Sequence, residues 1–76
     1  MRELVLFLAK SLVDSPDQVE VREVAKDDIV IEELRVAKED LGKVIGKQGR
    51  TAKAMRTVLM AAAGMADTKV RLEIVE

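Results

Sequence analysis

Gly46 and Gly49 enclose Lys47 and Gln48, and Arg50 follows directly. Those residue types at that spacing suit one task, which is gripping a phosphodiester. A glycine at each end of the loop lets backbone approach an anion without an intervening Cβ. A helix beginning at Arg50 would point unpaired N–H groups and a partial positive charge at the same place. Lys47 adds a cation on the loop, and Gln48 can donate without imposing a sequence preference. Lys43 precedes the loop, while Arg50 and Lys53 carry the positive surface one turn further.

Other chemistries fit worse. From Gly42 to Lys47 the chain superficially resembles a nucleotide P-loop. However, only three residues separate Gly42 from Gly46, and Gln48 stands where a Ser or Thr would ligate magnesium. A dinucleotide fingerprint needs three glycines after a strand, and this loop has two. The chain contains no histidine and no cysteine, which removes imidazole bases, thiolate nucleophiles and the usual zinc ligands. The sequence therefore predicts no catalytic residues, no metal site, no cofactor and no small-molecule substrate.

The 76 residues are enough for one domain, predicted over 1–76, with 49% hydrophobic residues to build its core and 36% charged residues to cover it. Arg2, Glu3 and Lys10 interrupt the apolar N-terminal stretch, so the sequence predicts neither a membrane span nor a secretory signal, and a cytoplasmic protein follows. The net charge is only −1, but its distribution is uneven. Residues 1–40 hold six basic and eleven acidic side chains, whereas residues 41–66 hold five basic ones (Lys43, Lys47, Arg50, Lys53, Arg56) and no acidic one. A run of like charge is ordinarily a solvated face, and Lys43 and Arg56 read that way. For Lys47, Arg50 and Lys53 the adjacent glycine loop favours a binding role.

The elements that must hold this loop can be read from periodicity. Met1, Leu4, Val5, Leu8 and Leu12 recur at helical spacing up to Asp14-Ser15-Pro16. Val19 and Val21 alternate with charged residues as a short strand, and Ala25–Asp28 supplies a turn. Residues 29–36 form a second strand, with a bulge expected at Glu32-Glu33 where the alternation falters. A short helix over about 39–45 ends at Gly46, and a longer one runs from Arg50 with Met55, Val58, Leu59 and Ala62 on its core side and Gly64 as its C-cap. Val70, Leu72 and Ile74 alternate as a last strand. The order is αββααβ.

From Leu41 to Arg56 the string LGKVIGKQGRTAKAMR closely resembles the signature of KH domains, with Val44-Ile45-Gly46 leading into the glycine loop. Ala52 occupies the aliphatic position three residues after the loop, where a larger Ile is usual, and Met55 fills the next turn. The αββααβ order is similar to the type II KH arrangement. The chain as a whole resembles the small, single-domain bacterial KH proteins of the KhpA family. That resemblance implies an α+β fold, a three-stranded sheet packed on three helices. It also implies a clamp in which Gly46, Lys47, Gln48 and Gly49 hold the backbone of single-stranded RNA, about four nucleotides of it. Val44 and Ile45, with apolar residues of strand 29–36, would line one side of a base groove, and Lys43, Arg50 and Lys53 would flank the clamp. Phe7 is the sole aromatic residue, so stacking platforms are excluded.

The second helix has a further feature. Thr57, Met60, Ala61 and Gly64 share its outer side, an apolar strip edged by small residues that predicts an association surface. The family resemblance implies a homodimer, or a heterodimer with a larger KH-containing Jag-type protein. The expected function is RNA binding as a chaperone or post-transcriptional regulator. The alternative is a protein–protein adaptor in which the fold mainly serves dimerisation.

Overall fold

The computed structural model describes residues 1–76. Six main elements follow one another as α1 (Arg2–Leu12), β1 (Glu20–Lys26), β2 (Ile29–Arg35), α2 (Leu41–Ile45), α3 (Arg50–Met65) and β3 (Lys69–Ile74). Single 3-10 turns occupy Pro16–Gln18, Lys38–Asp40 and Lys47–Gly49. This is the α+β, αββααβ architecture the sequence predicts.

β1 and β2 form an antiparallel hairpin, and β3 returns parallel to β2 on its other side, so the sheet order is β1-β2-β3. A parallel return needs a crossover, and α2, the glycine loop and α3 supply it. The helices cover one face of the sheet. Between them lies a core of Val5, Ala9, Val19, Val21, Leu34, Val44, Met55, Leu59 and Leu72. Burying side chains of this size is worth about 1.5–3 kcal/mol each, so in a domain this small each core position matters.

Both edge strands are left with a free side, and an arginine sits on each. Arg2 Nε donates to the Val21 carbonyl of β1 at 3.0 Å, and Arg56 Nε donates to the Leu72 carbonyl of β3 at 3.5 Å. A charged side chain on an open edge discourages pairing with another chain. Asp40, almost fully buried, fastens the exit of α1 to the start of α2. Its two carboxylate oxygens accept from the Asp14 and Ser15 amides at 3.2 and 3.0 Å.

Several boundaries differ from the sequence reading. No bulge interrupts β2: its register with β1 runs unbroken from Glu20↔Arg35 to Lys26↔Ile29. The faltering alternation arises because Glu32 points into the core, with Leu34 and Val30 on the same face. The turn narrows to Asp27-Asp28, since Ala25 and Lys26 still pair, and Asp27 takes the left-handed φ of 55° that closes it. The helix predicted over 39–45 divides into a 3-10 turn and α2. Gly64 is not a C-cap, because α3 continues to Met65, and the left-handed residue is Asp67 at φ 54°. Val58, expected in the core, is 44% exposed on the side of α3 that faces α1.

Candidate nucleic-acid interface

α2 ends at Gly46, whose φ of 78° and ψ of 170° turn the chain out of the helix. Gln48 (φ 58°) and Gly49 (φ 73°) are also left-handed, and α3 starts directly afterwards. The two glycines do different work. A Cβ on Gly46 would strike the Thr51 side chain and lie 2.8 Å from the Thr51 backbone nitrogen, so only glycine fits against α3 there. At Gly49 the space is open, and glycine is needed for its backbone conformation alone. The Gly46 amide donates to the Gly42 carbonyl at 2.8 Å and the Gly49 amide to the Gly46 carbonyl at 3.1 Å, which holds the loop in one shape.

Charge at the loop is unbalanced. Lys47, Gln48, Arg50 and Lys53 are exposed, and no acidic residue lies in the first turn of α3. Cations at a helix N-terminus oppose the macrodipole. An anion bound there would satisfy both the cations and the free amides, which makes this end of α3 a place for phosphate.

The remaining predicted site residues divide. Ile45 is partly exposed beside the loop. Val44 is fully buried, so it supports the loop from beneath and cannot line a groove. Lys43 is already engaged, its Nζ lying 3.0 Å from Asp14 and 3.9 Å from Asp40. The hydrogen bond to Asp14 is the main cause of its raised pKa. It ties α2 to the end of α1 rather than pointing a free charge at a ligand.

A second concave surface lies further along α3, past the loop. A cleft of about 280 Å³ runs between α3 and β3, lined by Ile29, Arg56, Leu59, Met60, Val70, Arg71 and Leu72. Of strand 29–36 only Ile29 reaches it, because Leu34 faces the core and β2 is the central strand. Arg56 continues the line of Lys53 from the loop into this cleft. Arg56, read from the sequence as a solvated charge, lines this cleft together with Val70 and Arg71, which carry no sequence signal. Thr57, Met60, Ala61 and Gly64 are all exposed on α3, and Met60, 66% exposed, also borders the cleft.

A helix–glycine loop–helix unit on a mixed three-stranded sheet, with a further helix and strand in front, defines a KH domain of type II. The family model for the KhpA/KhpB KH domain matches residues 2–74, and the chain belongs to that family. It is 57% identical over 75 residues to the RNA-binding protein KhpA of Clostridium perfringens, covering 99% of this chain and 100% of the relative. It is 49% identical over 76 residues to the RNA-binding protein KhpA of Chlamydia trachomatis, covering 100% of this chain and 97% of the relative. Among solved structures, Era in complex with MgGDPNP and nucleotides 1506–1542 of 16S ribosomal RNA superposes with a TM-score of 0.64. The identity there is 23%, over 96% of this chain and 28% of that one. Era of Aquifex aeolicus bound to GDP and aluminium fluoride gives a TM-score of 0.60, at the same identity and coverage. These two likenesses concern the fold. The family is one of KH domains, not of enzymes.

Proposed function

We propose that this chain binds single-stranded RNA, with Gly46–Gly49 clamping the backbone and the α3–β3 cleft receiving bases. One observation carries the reading: Gly46 lies so close against Thr51 that only backbone faces outward, at a helix end crowded with cations. The relatives named RNA-binding protein KhpA support it across the full length of the chain. The cleft offers aliphatic walls with Arg56 and Arg71 at its border, and the sole aromatic residue, Phe7, lies on the α1 side of α3. Bases would therefore be held by aliphatic contact, not stacked on aromatic platforms. The protein would act in the cytoplasm as an RNA chaperone or post-transcriptional regulator.

Titrating labelled single-stranded RNA with wild type and the Lys47→Asp/Gln48→Asp double variant tests the clamp. Binding should disappear in a variant that circular dichroism shows to be folded. If Lys47, Arg50, Lys53 and Arg56 contact phosphates, log K should fall against log salt with a slope of about −3. Unchanged affinity in the variant would refute the clamp.

A second reading is favoured by the second half of α3, where no charge occurs from Thr57 to Ala66 although much of it is exposed. It is a protein–protein adaptor, a homodimer or a heterodimer with a larger KH-containing Jag-type protein, meeting its partner through Thr57, Ala61 and Gly64. Ala61→Asp should then abolish association while the loop variant leaves it intact, with sedimentation as the readout.

A further inference from the structure

The α3–β3 cleft holds about 280 Å³, room for a single base, and its walls are one-sided in their chemistry. Ile29, Leu59, Met60 and Val70 supply carbon and one weakly accepting thioether. The strong hydrogen-bonding side chains are two guanidiniums, those of Arg56 and Arg71. A guanidinium donates and never accepts. No carboxylate, amide or hydroxyl side chain lines the cleft, so a base seated there meets donors without a matching acceptor.

Arg56 is more than a charge at the rim. Its Nε donates to the Leu72 carbonyl on the free edge of β3 at 3.5 Å. That bond occupies the backbone acceptor beside the guanidinium and leaves Nη1 and Nη2 as an end-on fork. A fork tethered in this way loses less freedom on binding than an untethered side chain. Its partner must present two adjacent acceptors, as a phosphate or certain base edges do. Phosphates are provided for at the loop by Lys47, Arg50 and Lys53. Arg56 stands about 9 Å further along α3 than Arg50, against β3, where bases would be received. Guanine sets O6 beside N7, and unpaired cytosine sets O2 beside N3. Adenine and uracil offer no such pair. In adenine the N6 amine stands next to both N1 and N7, and in uracil N3–H separates O2 from O4.

We infer that the α3–β3 cleft selects guanine or cytosine over adenine and uracil, with the Arg56 fork as the specificity-determining group. The inference rests on the RNA-binding reading above and deepens it, adding one base-reading position to a clamp that is neutral to sequence. It also takes Arg56 out of the phosphate contacts, so the salt slope should lie nearer about −2 than −3.

The test titrates wild type with labelled oligouridines of about eight nucleotides, either unsubstituted or carrying one central guanosine, cytidine or adenosine. The guanosine and cytidine RNAs should bind roughly tenfold more tightly than the other two, within the range of one bidentate pair. Arg56→Lys keeps the charge and loses the fork, and circular dichroism checks that it folds. It should bring the guanosine and cytidine RNAs down to the level of the adenosine RNA, leaving the affinity for oligouridine and the salt slope unchanged. An RNA carrying 7-deazaguanosine, with carbon in place of N7, should bind wild type no better than the adenosine RNA. Equal affinity for all four RNAs, a preference that survives Arg56→Lys, or full affinity for the deaza RNA overturns the inference and leaves the clamp standing. A loss in Arg56→Lys shared equally by all four assigns Arg56 to phosphate and also overturns it. No binding of any of them at low salt overturns the RNA-binding reading itself. A base preference that persists at full affinity in Lys47→Asp/Gln48→Asp overturns the clamp and supports the cleft.

Discussion

Glu32 is the least expected residue in the core. It sits at the centre of β2 with no exposed surface, and neither carboxylate oxygen has a hydrogen-bond partner. Burial is the main cause that lifts its pKa from 4.5 to about 7, and Glu23, directly opposite on β1, adds to the rise. The two carboxyls are not hydrogen-bonded as they stand, so sharing a proton would require them to close up, and desolvation dominates. The N-terminal amine and Arg2 of α1 act weakly in the opposite direction. A carboxylic acid whose folded pKa exceeds its unfolded value holds its proton more tightly when folded. Its contribution to stability is fully present below pH 4.5 and is lost as pH rises through about 7. At about 1.4 kcal/mol per tenfold in proton affinity, that interval is worth on the order of 3 kcal/mol.

Glu32→Gln removes the titration and keeps the shape. Unfolding should be followed by far-UV circular dichroism in urea or on heating, because the chain contains no Trp or Tyr. Between pH 4.5 and 8 the wild type should lose about 3 kcal/mol relative to the variant, roughly 12–24 °C in Tm for a domain of this size. The buried amide brings donors of its own, a pH-independent cost of about 1–3 kcal/mol if they too lack partners. The test is therefore the slope of the difference, not its value at one pH. Every other carboxylate is common to both proteins and cancels. If the difference between wild type and variant stays flat from pH 4.5 to 8, Glu32 is not protonated on folding and the reasoning fails.

The two loop glycines should separate cleanly. Gly46→Ala, forced against Thr51, should lower RNA affinity at least about tenfold and cost several kcal/mol, whereas Gly49→Ala should cost only the left-handed penalty of about 1–2 kcal/mol; equal effects in RNA titration and urea melts would contradict the packing argument. Asp40→Asn should cost about 2 kcal/mol, because one of its two acceptor oxygens becomes a donor facing an N–H. Urea melts check this, and an unchanged midpoint would show that the tie between α1 and α2 carries no stability.

The loop and the element order were legible because both depend on short-range rules. Glycine at Gly46 and Gly49, alternation in β3 and helical spacing in α1 and α3 each leave a local mark. What escaped depends on which strand lies beside which. Glu32 looked like a bulge because a carboxylate at an inward position violates alternation, and no local rule distinguishes a buried acid from a shifted register. Val44 and Ile45 are neighbours of equal hydrophobicity, and only the packing of α2 decides which is buried. That a cleft opens between α3 and β3 leaves no local mark either, because the parallel placement of β3 beside β2 is a matter of topology. That placement makes β3 the strand α3 packs against. Val58 was read as core because helical spacing identifies a stripe but not the width of the neighbour covering it.

α3 therefore carries separate surfaces. Its N-terminal end faces the loop, the flank bearing Arg56 and Met60 faces β3, and the flank bearing Ala54 and Val58 faces α1. RNA in the cleft and a partner on Thr57, Ala61 and Gly64 would meet different faces of α3, so neither need displace the other. A strand that fills one cleft gains nothing from such pairing. One long enough to reach the second loop converts a weak contact into an intramolecular one, raising avidity without any new residue touching RNA. Were two copies to associate through the charge-free second half of α3, a small domain with exposed Lys47, Arg50 and Lys53 at one loop would bind a long strand well while holding a short one weakly.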